Sequence, residues 1–194
     1  GFEGVPVEVR QPRNMWADGA EDIDPETGYA TIRSNAQNRY VPNFSYGKGK
    51  IVWNFESVNM PAGTDGFLYL NGDTWHWNGA ANGAGWIQIR IYPQDSTTKS
   101  SFKLHYDWTA EEFTLEESMN DIKTIELDTK VDPEDATKVN VTFSINGKVY
   151  YSGKKHNAFD LDGHKGVIFY SGFSGPFSPE CTIVFKSLDY EVYE

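Results

Sequence analysis

A chain of 194 residues with 28 acidic and 17 basic side chains has a formal charge of −11 at pH 7. That balance argues against nucleic acid and anionic membranes as partners, since either binds through a basic stripe that displaces counterions. Hydrophobic residues make up 39% and aromatics 15%, a globular composition, and no apolar run approaches the roughly 20 residues of a membrane span.

A chain of this length buries roughly 70% of its unfolded surface as one unit. The expectation is therefore a monomeric single domain over residues 1–194. It opens on Gly1 rather than Met, which points to a removed leader or upstream domain and to a piece of a larger secreted or cell-surface protein. Cys181 is alone, so no intramolecular disulfide and no cysteine zinc cluster can form. Within "ECTIVFKS" it reads as a small buried hydrophobe. Two sequons, Asn43-Phe-Ser45 and Asn140-Val-Thr142, matter only in a secreted eukaryotic protein.

In chain order, short alternating or β-rich runs recur between clusters of Gly, Pro, Asn and Asp. Strands are predicted at Val5–Arg10, Tyr29–Ser34, Lys50–Val58, Gly66–Leu70, Trp86–Tyr92 and Ser101–Trp108. Further strands are predicted at Ile122–Asp128, Lys138–Ile145, Lys148–Ser152, Gly166–Ser171 and Thr182–Tyr193. Pro25 and Gly28 make "EDIDPETG" (Glu21–Gly28) a turn. "TAEEFTLEESMND" (Thr109–Asp121) is the one helix candidate, with Thr109 as cap and Glu112 three residues on. Phe113 and Leu115 alternate there, so a strand fits equally well.

The sharpest local signal is "KVNVTFSINGKVYYSG". Val139, Val141, Phe143 and Ile145 alternate with polar residues, and Val149 and Tyr151 resume the alternation after Asn146-Gly147. Asn-Gly supplies the positive φ angles of a type I′ turn, so this is a β-hairpin. About eleven strands at such spacing predict an all-β fold, a two-sheet antiparallel jelly-roll sandwich.

This hairpin, followed by a loop, "KGVIFYSGFSG" and the closing "CTIVFKSLDYEVY", resembles the C-terminal half of concanavalin A-like lectin and glucanase domains. The likeness covers roughly Lys138 to Glu194, and residues 1–137 fit as generic strands. The superfamily holds lectins, glycosidases and lyases, so the resemblance implies a fold more firmly than an activity. It also implies a structural Ca²⁺ shared by an acidic residue of the first strand and an Asp of the last. Glu3 and Asp189 stand at those positions, with Asp160–His164 and Asp24–Gly28 as rival acidic loops. Calcium takes six to eight oxygens, so backbone carbonyls and another carboxylate must contribute.

"NGDTWHWNGAANGAGW" (Asn71–Trp86) holds three of the six tryptophans and has no core periodicity. Flat indoles stack on the C–H face of a sugar ring, while Asn and Asp bond its hydroxyls. In extended backbone Trp75 and Trp77 face the same side as Asn71 and Asp73, about 7 Å apart, and His76 faces away. The leading expectation is a domain that binds polysaccharide or oligosaccharide through Trp75 and Trp77, with Asn71, Asp73 and Asn78 as polar partners. Trp16, Tyr40, Phe44 and Tyr46 extend the platform, whereas Trp53, Trp86 and Trp108 fall in strand patterns and read as core. The competing reading has the two loop indoles pinning the loop onto the sheet.

Two other functional classes stay open. Retaining glucanases of the superfamily carry Glu-x-Asp-x-Glu or Glu-x-Asp-x-x-Glu on one strand, and neither occurs here. A lyase requires a base and a group that neutralises a uronate carboxylate. "WIQIRIY" puts Gln88, Arg90 and Tyr92 on one strand face, and "FKLHYDW" does so for Lys103 and His105. Arg90, Tyr92 and His105 would be the catalytic set, although the Gln-Ile-His signature of alginate-lyase relatives is replaced by Gln-Ile-Arg. The same row equally suits a solvated outer face. An adhesion module binding a protein through its exposed aromatics is the third class.

Overall fold

The computed structural model describes residues 21–33, 37–40, 47–60, 66–73, 87–104, 110–157, 168–174 and 181–193. Alternation decides its architecture. In β4 (Lys48–Asn59), Ile51, Trp53 and Phe55 are buried while Lys50, Val52 and Asn54 between them are partly exposed. The same period of two runs through β9 (Thr124–Val131) and β10 (Lys138–Ile145), where Ile125, Leu127, Val139, Val141 and Phe143 point inward.

The remaining strands are β1 (Glu21–Ile23), β2 (Ala30–Arg33), β3 (Gln37–Tyr40), β5 (Phe67–Asp73), β6 (Ile87–Ile91), β7 (Ser100–Leu104), β8 (Glu111–Phe113), β11 (Lys148–His156), β12 (Ile168–Ser174) and β13 (Thr182–Val192). They form a seven-stranded sheet in the order β1-β2-β13-β4-β9-β10-β11 and a six-stranded sheet in the order β3-β12-β5-β6-β7-β8. Pairing is antiparallel throughout. Leu68, Leu70, Ile89, Ile91 and Phe102 of the smaller sheet share one core with Ile51, Trp53, Phe143, Ile183 and Phe185 of the larger. Cys181, just ahead of β13, is fully buried as expected.

The helix candidate is overturned. Phe113 and Leu115 are buried while Glu112, Thr114 and Glu116 are exposed, a spacing that a helix would scatter around its circumference. The stretch holds β8 and a single 3₁₀ turn at Met119–Asp121, where the Ser118 side chain accepts from the Asn120 amide. Thr109, the expected cap, lies outside the described residues, as does Val5–Arg10. "EDIDPETG" opens with β1 before its turn, which closes through Asp24 N–H to the Tyr29 carbonyl and Gly28 N–H to the Asp24 carbonyl. Among the described residues no helix is long and apolar enough to cross a membrane.

The predicted hairpin is present, with φ 50° at Asn146 and 79° at Gly147. Its turn also does long-range work. The Asn146 side chain accepts from the amides of Lys123 (2.7 Å) and Thr124 (3.0 Å) and donates to the Asp121 carbonyl (2.8 Å). One turn residue thereby fixes where β9 begins. In the same hairpin, a bulge between Phe143 and Ser144 shifts the β10–β11 register and lets two consecutive tyrosines reach the core. Tyr151 packs edge-on against Phe102 at 4.8 Å, and Tyr150 lies 5.1 Å from Phe113.

Those tyrosines help close the sandwich along its β8/β11 border. Tyr150 O–H donates to Glu117 Oε2 (2.6 Å), and the Glu116 amide donates to Tyr150 Oη (3.1 Å). Buried Lys155 pairs with Glu111, and Lys148 with Glu116. Burial first, and then the hydrogen bond to Glu117, push the Tyr150 hydroxyl up to about 12. Burial and the bond to Asp128 raise Tyr193 as well.

Two outcomes follow from these contacts. Asn146→Ala loses the side-chain bonds and strains a positive φ, so it should lower stability by about 2–3 kcal/mol; Asn146→Gly, which keeps the φ, should lose roughly 1 kcal/mol less. Urea melts with an unchanged slope check the pair. For Tyr150 the folded hydroxyl titrates above the unfolded one, so the folded state holds a proton that the unfolded chain releases. Stability is therefore intact below about pH 10 and is lost as pH rises toward 12. Tyr150→Phe should flatten that alkaline slope in melts taken across the window, and an unchanged slope would refute the assignment.

Candidate functional site

With Leu68, Leu70, Ile89, Ile91 and Phe102 turned inward, the residues between them must face out from the six-stranded sheet. They are Phe67 and Tyr69 on β5, Gln88 and Arg90 on β6, Tyr92 just past its end, and Ser101 and Lys103 on β7, all partly exposed. Register ties them into rows. Tyr69 pairs with Arg90 and Arg90 with Ser101; Asn71 pairs with Gln88 and Gln88 with Lys103. The first row continues to Gly172 on β12 and Glu112 on β8, and the second to Tyr170 on β12 and Arg39 on β3.

Three aromatic rings gather at one end of this face. The Phe67 ring lies 4.8 Å from that of Tyr92 at 30° and 6.2 Å from that of Tyr69 at 56°. Arg90 Cζ stands 5.3 Å from the centroid of Phe67, within cation–π range. Ser100 holds the chain at Tyr92, accepting from its amide at 2.9 Å and donating back to its carbonyl at 3.4 Å. The recess beyond, lined by Tyr92, Ser96, Lys99, Thr114 and Leu115, has about 30 Å³, room for a water and not for a sugar ring.

The sequence placed Gln88, Arg90 and Tyr92 on one strand face, and the structure does the same. It adds Phe67 and Tyr69, which the sequence reading passed over. Their signal was present in "GFLYL", where aromatics occupy the outward phase of a half-buried strand. Asn71 and Asp73 belong to β5, at the end of the face where residues 74–86 join β5 to its neighbour β6. Trp75, His76, Trp77, Asn78, Trp86, Trp16, Tyr46, His105, Trp108 and Glu3 lie outside the described residues, as do Asp160–His164. Tyr40 is described as backbone only, within β3, and Trp53 is core.

Among the described strand positions of this sheet, Asp73 and Glu112 stand three strands and four residues apart in register. That is roughly 20 Å between backbones, against the roughly 5–9.5 Å between catalytic carboxylates of glycosidases. These two residues do not make a hydrolase pair.

Asp189, the expected calcium ligand, is on the outer face of the other sheet. Its Oδ2 accepts from Asn54 Nδ2 at 3.2 Å, and the same amide donates to Ser187 Oγ at 3.0 Å. Nearby, Lys50 pairs with Glu126 (3.2 Å) and Glu191 (3.7 Å). Among the described residues no group of three or more His, Cys, Asp or Glu is placed to hold a metal. Asp189 can supply one or two of the oxygens calcium takes.

No family model matches the chain, and no curated protein matches it by sequence. Its backbone is similar to the carbohydrate recognition domain of Emp46p, with a TM-score of 0.63 at 11% identity over 90% of this chain and 87% of that one. The corresponding domain of Emp47p gives 0.62 at 12% identity, over 98% and 95% of the two chains. A Bacillus licheniformis β-glucanase gives 0.54 at 12% identity, again over 98% and 95%. The fold is thus the antiparallel two-sheet jelly roll of concanavalin A-like domains, as the C-terminal resemblance implied. Emp46p itself is known in potassium-bound and metal-free forms.

The burial contrast predicts how two rings respond to truncation. Phe102→Ala empties a fully buried site and should cost about 3–5 kcal/mol. Phe67→Ala, on the outer face, should cost well under half of that. Equal losses in chemical denaturation would mean that Phe67 is core rather than surface.

Proposed function

We propose that the chain is a polysaccharide- or oligosaccharide-binding domain of a secreted or cell-surface protein, acting as a monomeric single unit. The observation that carries this reading is the outer face of the six-stranded sheet. It sets three partly exposed rings, Phe67, Tyr69 and Tyr92, beside Gln88, Arg90 and Lys103. Rings offer stacking area for the apolar face of a sugar, and the polar side chains offer bonds to its edge. Trp75 and Trp77 follow β5 by two and four residues in the sequence, and in this reading they add stacking area, with Asn71, Asp73 and Asn78 as hydrogen-bonding partners.

The alignment of Gln88, Arg90 and Tyr92 on one face favours one second reading, a polysaccharide lyase with His105 completing the set. Incubation with uronate polymers separates the two, since a lyase releases unsaturated products that absorb in the ultraviolet and a binding domain releases none. An array of glycans tests the first reading directly, and silence across it would leave a protein-binding adhesion module.

Truncation of the loop indoles gives a sharper test. Trp75→Ala and Trp77→Ala should each weaken glycan binding by roughly 1–3 kcal/mol, with a stability loss far below the 3–5 kcal/mol of a buried tryptophan. His76→Ala should leave affinity nearly intact. A large melting loss with unchanged affinity would make the indoles loop anchors.

A structural Ca²⁺ joining Glu3 to Asp189 belongs to the same reading. An ion bound only by the folded state stabilises it by RT ln(1 + [Ca²⁺]/Kd), about 2.7 kcal/mol at a hundredfold excess over Kd. A chelator should then lower the melting temperature by several degrees, and an unchanged melt would remove the site.

A further inference from the structure

Among the described residues, four lysines are paired with acids of the chain. Lys50 pairs with Glu126 and Glu191, Lys148 with Glu116, Lys154 with Asp132 and Lys155 with Glu111. Arg90 differs. Among the described residues it has no carboxylate partner, although the chain carries 28 acidic side chains. Its Cζ stands 5.3 Å from the centroid of the Phe67 ring, a cation–π contact that does not use its N–H donors. Short residues stand near it in the same row, Ser101 on one side and, beyond Tyr69, Gly172 on the other. Lys103 lies one strand over and two residues along, partly exposed on the same face.

An arginine beside an aromatic ring, partly buried and without an acid partner among the described residues, can receive a planar or tetrahedral oxyanion in a two-pronged grip. We infer that the glycan bound on this face is anionic, its carboxylate or sulfate group gripped by Arg90 with Lys103 in support, and its ring seated on Phe67, Tyr69 and Tyr92. This deepens the glycan-binding reading and rests on it. Carboxylate and sulfate present the same chemistry to a guanidinium, and the choice between them is left to the ligands used.

The test is calorimetric titration of the intact protein with two panels. One contains uronate oligosaccharides, each beside its neutral methyl ester, and the other contains sulfated oligosaccharides, each beside its desulfated form. At least one acidic member should bind about 10- to 100-fold tighter than its neutral partner, with the panel that responds identifying the anion. Arg90→Gln should bring that affinity down to the neutral partner's level, and Arg90→Lys should restore part of it. Thermal melts establish that the variants are folded; if Arg90→Gln does not fold, Lys103→Gln must still narrow the preference. Equal binding of acidic and neutral partners overturns the inference and leaves glycan binding standing, as does a preference that survives Arg90→Gln. Absence of binding to every member of both panels overturns glycan binding and the inference with it.

Discussion

Phe102 of the six-stranded sheet meets Phe143 of the seven-stranded sheet with ring centroids 5.4 Å apart, and Phe113 approaches the same ring at 5.5 Å. Contacts of this kind fix the inward phase of every strand they touch. Because the side-chain period of a strand is two, fixing the inward phase fixes the outward one, and a slip of one residue would exchange them entirely. Phe67, Tyr69, Gln88, Arg90 and Lys103 are on the outer face because Leu68, Leu70, Ile89 and Phe102 are in the core. The candidate site needs no separate instruction from the fold. It is the complement of the packing.

The borders of the sandwich are governed by a different constraint. β8 and β11 are edge strands of their respective sheets, and an exposed edge invites pairing with another chain. Here the edges are tied to one another. Lys155, only 5% exposed, pairs with Glu111 of β8, while its ammonium lies 5.3 Å from the Tyr151 ring. A buried lysine of this kind is costly unless it is paired, so Glu111 and Lys155 hold the two sheets in one lateral register. Lys148 and Lys154 add charge along the same edge, a feature that discourages edge-to-edge association.

Legibility in the sequence followed the range of the interactions responsible. β10 was read with its boundaries intact, because alternation and the Asn-Gly turn are both local. β11 runs four residues further than expected, to His156, since continuing pairing with β10 outweighs the weak alternation of "GKKH". β1, β3 and β8 have three or four residues each, too few to show a period. The bulge that turns Tyr150 and Tyr151 inward together, and the bonds by which Asn146 fixes the start of β9, depend on tertiary neighbours that no window reveals. At the site, the row Gln88–Arg90–Tyr92 was legible from alternation alone. Its meeting with Phe67 and Tyr69 was not, because it depends on which strand pairs with which.

Net charge is an average of the same non-local kind. The value of −11 bears on the whole molecule at long range, yet two packed sheets separate the outer faces by roughly 20 Å once side chains are included. At physiological ionic strength exposed charges are screened over about 8 Å, so acids such as Asp189 and Glu191 on one face act little on a ligand at the other. What a ligand meets is the local set of groups, and among these the decisive property is whether each charge is already satisfied. Lys50 faces two carboxylates and has little attraction left for a third. Arg90, resting on Phe67 with its N–H groups uncommitted to any described acid, retains it. A strongly acidic chain can therefore offer an oxyanion a receptive place on one face, provided that the basic residue there is supported by an aromatic ring and not by an acid.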